Sequence, residues 1–431
     1  MTKLNKILVV VFVIALSMGV AVGQDNNPTD WNIGGVPAIA YNSDTGFLYG
    51  AILDIYNYGD GSVYPDYIHT TRLTWTRTTK GSGENAIFFD SKYLLPYDVR
   101  ITAEAAYLTE RALQFYGFNG DNNPAYENED DDAYKSRIYY RHDRSITRLT
   151  TDLQKNIFIP NLRGIFGIAY FKTKIATVDT AKLNDGKDAA DRLPPIDILY
   201  DVYKESGAIN TDEALGGNTN YIKLGLVYDS RDNEPNPMSG IWTEALITTI
   251  PSGLGNDFSY TLFTGTHRQY FTIIPNDLSV AVRLGYQSVI SGKIPIPFFM
   301  LPFYQSSYRT TEGLGGSKSL RGILKNRIVG NSIGFGNLEV RWKFLRTKLM
   351  GQNLYLALNG FMDAGKVLSE YGNAEYQKLN PFDDEQGLHI SYGGGFRIAL
   401  NENFIVAVDY GMAKDAFDGN SGLYIGLGYL Y

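Results

Sequence analysis

The sequence predicts an all-β fold: a transmembrane antiparallel β-barrel of about sixteen strands, with a long loop folded into the lumen. Three observations predict it. Apolar residues alternate with period two along most of the chain, connections alternate between short and long, and the N-terminus reads as an export signal. At the far end, Leu423, Ile425, Leu427, Tyr429 and Tyr431 alternate with Tyr424, Gly426, Gly428 and Leu430. That is a strand with one large apolar face, on which Tyr431 is expected as a ring at the membrane interface.

Lys3 and Lys6 precede an apolar run from Ile7 to Met18, and Ala21-Val22-Gly23 offers small residues to a signal peptidase. Residues 1–23 are therefore expected to be a signal peptide, 24–33 a short periplasmic segment and 34–431 one outer-membrane barrel domain. The alternative for the first segment is a membrane anchor. Its run is short, and no other segment approaches the ~20 apolar residues that a spanning helix needs. The chain has no Cys, which excludes a lipoprotein anchor, disulfides and Cys-ligated metal. Net charge is −7, and −9 once Lys3 and Lys6 are removed, which argues against a nucleic-acid partner. Apolar residues make up 44% of the chain without forming spanning blocks, so helical membrane proteins are excluded while soluble all-β folds are not.

In order, strands are expected near 36–42, 46–57, 66–79, 85–94, 98–110, 137–155, 163–175, 219–229, 240–249, 257–272, 278–290, 332–344, 353–364, 388–399, 403–410 and 422–431. Two show the pattern well. Leu338, Val340, Trp342 and Phe344 oppose Asn337, Glu339, Arg341 and Lys343; Leu354, Leu356, Leu358 and Met362 oppose Asn353, Tyr355, Asn359 and Asp363. Several even strands end in tight turns such as Leu95-Pro96-Tyr97, Ile159-Pro160-Asn161 and Ile274-Pro275-Asn276. Odd strands lead into long connections at 111–136, 176–218, 291–331 and 365–387. Short turns on one side and long loops on the other place both termini in the periplasm.

Three stretches then resemble the bacterial surface antigen family, the superfamily containing the barrel-assembly proteins BamA and TamA. Gly315-Gly316-Ser317-Lys318-Ser319-Leu320-Arg321-Gly322 resembles its Val-Arg-Gly-aromatic loop motif, with Leu320 and Ile323 departing from it. Asp229-Ser230-Arg231-Asp232-Asn233, with Pro235, Pro237 and Gly240, resembles its periplasmic turn. Gly336-Asn337-Leu338-Glu339 and Phe361-Met362-Asp363-Ala364-Gly365 resemble the strands whose carboxylates receive the loop's Arg. Pro37-Ala38-Ile39-Ala40-Tyr41 and the Gly-rich closing strand are weaker matches. The resemblance implies a part in assembling or translocating outer-membrane proteins or lipids through a weakly zipped first-to-last strand seam, here Gly426, Gly428 and Tyr431. Family members usually carry periplasmic (POTRA-type) domains ahead of the barrel. Residues 24–33 leave no room for one, so partner proteins are expected to supply them.

Physical reasoning supports the loop motif separately. A lumen of this width is either open or plugged, and an Arg carried into it needs carboxylate partners. Alternation puts Glu339 and Asp363 on the polar face, so a lock joining Arg321-Gly322 to both is favoured over a solvated Arg. Arg231, between Asp229 and Asp232, reads chiefly as turn chemistry. No enzyme is expected, nor any cofactor or metal. His142 and Asp143 are adjacent on a strand and so point to opposite faces. Glu127 and Glu129 to Asp132, near Asp121, match no calcium-loop template and read as a solvated acidic loop. Expected partners are outer-membrane lipid and other outer-membrane or periplasmic assembly proteins. The alternative function is a plugged barrel or pore serving as a structural or binding subunit of an envelope complex.

Overall fold

Sixteen strands follow one another as a meander, each hydrogen-bonded antiparallel to the next. The structure, a computed structural model, describes residues 29–42, 46–63, 67–122, 124–234, 236–295, 301–303, 309–311, 313–349, 352–380, 387–400 and 404–431. The expected signal, residues 24–28 and Pro235 lie outside these. The wall comprises β1 (Trp31–Asn42), β2 (Gly46–Asn57), β3 (His69–Thr78), β4 (Gly83–Ser91), β5 (Arg100–Gln114), β6 (Arg141–Asn156), β7 (Leu162–Ala176) and β8 (Tyr221–Asp229). It continues through β9 (Gly240–Ile250), β10 (Tyr260–Ile274), β11 (Leu278–Gly292), β12 (Ser332–Leu349), β13 (Gln352–Ser369), β14 (His389–Leu400), β15 (Phe404–Ala413) and β16 (Ser421–Leu427).

Burial is inverted relative to a water-soluble protein. Leu149, Leu224, Leu284 and Trp342 are about half exposed, whereas Arg268, Glu339, Asp363 and Arg397 are at most 1% exposed. Apolar groups outside and charges inside are what a wall between lipid and a polar lumen requires. The inner charges pair along the wall: Arg72 with Asp54 at 2.6 Å and Arg100 with Asp90 at 2.7 Å on neighbouring strands, and Lys223 on β8 with Asp152 on β6 at 2.9 Å, across Gly167 of β7.

Long connections after β5, β7, β11 and β13 gather at one end. They bury a shared aromatic core that includes Tyr116, Phe118, Tyr200, Tyr203, Tyr371 and Tyr376. Three short helices, α1 (Thr180–Asn184), α2 (Leu199–Glu205) and α3 (Ala374–Leu379), belong to this cap. The acidic run expected to be solvated contributes to it: Glu127 accepts from Arg141 at 2.6 Å and from the Tyr116 hydroxyl at 2.7 Å. His142 stacks on Tyr200, and Asp143 accepts from Arg111 at 2.6 Å.

Tyr431 corrects the reading of the closing strand. β16 ends at Leu427, and Gly428 adopts φ +81°, a left-handed conformation that turns the chain inward. Leu423 and Ile425 face lipid, but Tyr431 is buried in the lumen, where its hydroxyl donates to the Ala281 carbonyl at 3.0 Å. Alternation in sequence continued past the residue at which the backbone left the sheet.

Candidate functional site in the lumen

The loop after β11 descends inside the wall. Leu314 bridges Ile328 to close its neck, and Gly315 and Gly316 take positive φ in the turn above Ser319. Leu314, Leu320, Ile323 and Ile328 then pack on Ile333, Phe335 and Val367 of β12 and β13. Burial of this apolar side fixes the loop's height. Leu320 and Ile323, the two departures from the motif, are both within this cluster.

That height sets Arg321 among the acidic residues. Its Nε and Nη2 donate to the two Asp363 oxygens, each at 3.0 Å, a bidentate fork, and its backbone N–H donates to Asp363 at 3.0 Å. Nη1 bonds Glu339 and lies 3.5 Å from Asp409. Beneath, the guanidinium sits 3.5 Å from the Phe361 ring centroid. Gly322 donates its N–H to the Tyr424 hydroxyl on β16 at 2.9 Å. Further charges extend the network: Arg341 binds Glu339 at 2.8 Å, Arg397 binds Asp409 at 2.9 Å, and Asn337 donates to Asp363 at 2.8 Å. The arrangement can hold a plug.

At the short-turn end, the β8–β9 turn is more than local chemistry. Arg231 forks onto Asp229 at 2.9 and 3.0 Å and stacks 4.0 Å above the Trp242 ring. Asp232 accepts from Met238 N–H at 3.0 Å, Pro237 is buried, and Gly240 takes φ +100° against the Ser230 carbonyl. Glu234 reaches past the β6–β7 turn to the β4–β5 turn, 3.4 Å from Arg100 and 3.6 Å from Lys92. Burial alone would raise its carboxyl, but Arg100, Lys92, Arg231 and Arg163 outweigh that and hold it at about 2, below its ordinary 4.5. A depressed folded-state value contributes stability above about pH 4.5 that is lost as pH falls toward 2. Glu234 is one-third exposed, so solvent screening reduces the contribution to about 1 kcal/mol. Melting curves of Glu234→Gln should therefore lose part of the acid dependence seen in the wild type; identical acid profiles would remove this turn from the account.

An Omp85 superfamily domain model matches residues 72–430. The chain belongs to the Omp85 superfamily. Among solved structures, this Omp85 barrel is similar to BamA from Haemophilus ducreyi lacking POTRA domains 1–3, at 15% identity and TM-score 0.55, covering 95% of this chain and 73% of that one. It is also similar to CdiB from Escherichia coli, at 10% identity and TM-score 0.59, covering 93% of this chain. It spans 62% of the CdiB chain, less than two thirds. No curated protein sequence matches. At these identities the likeness shows the fold.

Several partners in this Omp85 lumen were outside the sequence reading. Asp409 lies within β15, and the register of β14 with β15 brings it to Arg397, beside Arg321. Gly395 makes room for it: a Cβ there would lie 2.0 Å from an Asp409 oxygen. Against the expectation that the chain has no Gly-x-Ser-x-Gly segment, Gly330-Asn331-Ser332-Ile333-Gly334 has that spacing. Ser332 opens β12 with its hydroxyl against that of Ser288, and a strand rather than a helix follows, so the context of a nucleophile elbow is missing.

Proposed function

We propose that this outer-membrane barrel takes part in assembling or translocating outer-membrane protein or lipid, together with other envelope proteins, along its β1/β16 seam. The observation that carries the reading is the seam itself. β16 has seven residues, and no ladder joins it to β1 among the described residues. Strand edges facing lipid leave backbone groups unsatisfied, and an incoming strand can satisfy them by pairing. Gly422 and Gly426 weaken the edge further, and Gly428 ends it. In this reading the short-turn end and both termini face the periplasm, and the protein performs no covalent chemistry.

A second reading has its own support. The Arg321 lock and the aromatic cap together obstruct the lumen, which suits a plugged barrel acting as a structural or binding subunit. Pure protein in lipid vesicles separates the two. Faster folding of an added unfolded barrel client, abolished when a cysteine pair introduced across β1 and β16 is oxidised, is the result expected for the first. A client folding rate equal to that of empty vesicles favours the second. The absence of native Cys keeps the cross-link unambiguous.

A further inference from the structure

Arg268 breaks the pairing rule of this lumen. It is 1% exposed on the inner face of β10, and among the described residues it forms no ion pair; its Nε and Nη2 have no hydrogen-bond acceptor. Its cross-strand neighbours are Trp242, whose ring lies 5.0 Å away, and a second cation, Arg283. Of the carboxylates nearby, Asp229 is engaged by Arg231 and Arg163 and Glu339 by Arg321 and Arg341, while Glu244, buried two residues from Trp242 on the same face of β9, attracts Arg268 but accepts no hydrogen bond from its Nε or Nη2. Burying a guanidinium beside a like charge, with no hydrogen-bonded acceptor on one edge, is costly.

Unused donors continue around it. Tyr270, two residues along the same face, has a buried hydroxyl with no partner; Ser279 on β11 and Nη1 of Arg341 on β12 are in the same condition. Ser279 and Arg341 are register partners, and the Arg341 guanidinium stands 5.7 Å from the Tyr270 ring. Tyr270 thus lies next to Arg268, and Ser279 and Arg341 extend the run of unused donors along the inner wall, four residues further in the register. A water molecule can accept such bonds but brings no charge to offset Arg268.

We propose that this patch binds a small oxyanion, a phosphate or a carboxylate, on the Nε–Nη2 edge of Arg268, with Tyr270 as the nearest supporting donor. The edge presents two parallel N–H groups, the geometry that matches two oxygens of one anion. Arg268, Tyr270 and Ser279 are at most 3% exposed, so the occupant is limited to a few atoms. Arg268 and Tyr270 take no part in the Arg321 lock, and the site does not depend on whether the seam opens.

The full-length protein, refolded in detergent, tests it through the temperature at which the barrel loses its heat-resistant gel mobility. Inorganic phosphate and acetate are titrated separately against chloride at matched ionic strength, so that general screening cancels. The expected result is a saturable rise of several degrees with at least one oxyanion, the responding one identifying the chemistry. Arg268→Met should abolish the response, and in chloride it should melt no lower than the wild type, having shed an uncompensated charge. Tyr270→Phe should raise the half-saturating concentration ~10-fold by removing one donor, and it serves if Arg268→Met does not fold. A wild-type midpoint indifferent to both oxyanions, or a response that survives in Arg268→Met, overturns the proposal.

Discussion

Arg321→Ala is expected to destabilise the barrel by about 3–5 kcal/mol, the usual cost of removing one partner from a buried ion pair. The loss falls unevenly. Glu339 keeps Arg341 and Asp409 keeps Arg397, but Asp363 is left with two neutral donors, the Asn337 amide and the backbone N–H of residue 321, and no cation. Asp363→Asn in the Arg321→Ala background should therefore recover part of the stability, a coupling that two independent sites would not show. Charge reversal at Glu339 or at Asp363 should reproduce the single-mutant defect. Freed at its tip, the segment 313–330 should become sensitive to protease, and single-channel conductance in planar bilayers should rise. Unchanged melting, cleavage and conductance together would show that Arg321 holds nothing.

How much of this was legible beforehand follows from what alternation encodes. Period two assigns each side chain to a face, so Glu339 and Asp363 fell inside and Leu338 and Trp342 outside without any knowledge of the wall. It does not encode which distant segments meet in the lumen, which is why the pairing of Asp409 with Arg321, 88 residues away, is written only in the fold. Nor does it report where a strand stops. Tyr429 and Tyr431 kept the apolar rhythm although one left-handed glycine had already turned them away from lipid. The aromatic cap was illegible for another reason: loop residues have no period, and the packing of Phe118 on Tyr371 and Tyr376 joins segments more than 250 residues apart. Orphaned donors such as those of Arg268 are invisible in a sequence, because an unpaired charge and a paired one are written alike.

Gly411→Ala should produce the same opened lumen without touching a charge. The tip of the loop lies directly on the β15 backbone: a Cβ on Gly411 would meet the Arg321 carbonyl carbon and oxygen at 2.6 Å. From the other side, a Cβ on Gly322, which holds φ +97°, would meet Met412 N at 2.6 Å. The obstacle in both cases is main chain, which cannot rotate aside as a side chain would. Relief requires the loop to lift by roughly 1 Å, and bonds of 3.0 Å between Arg321 and Asp363 do not survive that displacement. A cost of about 2–4 kcal/mol is expected, combining overpacking with a weakened lock. The sign is informative, since replacing a strand glycine by alanine ordinarily gains up to about 1 kcal/mol from the unfolded state. Gly426→Ala on β16 provides that comparison, because a Cβ there meets nothing within 4 Å. If lifting the loop is what opens the lumen, Gly411→Ala and Arg321→Ala act on one event, and their combination should conduct and melt much like either alone. Full additivity, or a Gly411→Ala protein with wild-type conductance, would mean that the loop does not bear on β15 as its backbone contacts require.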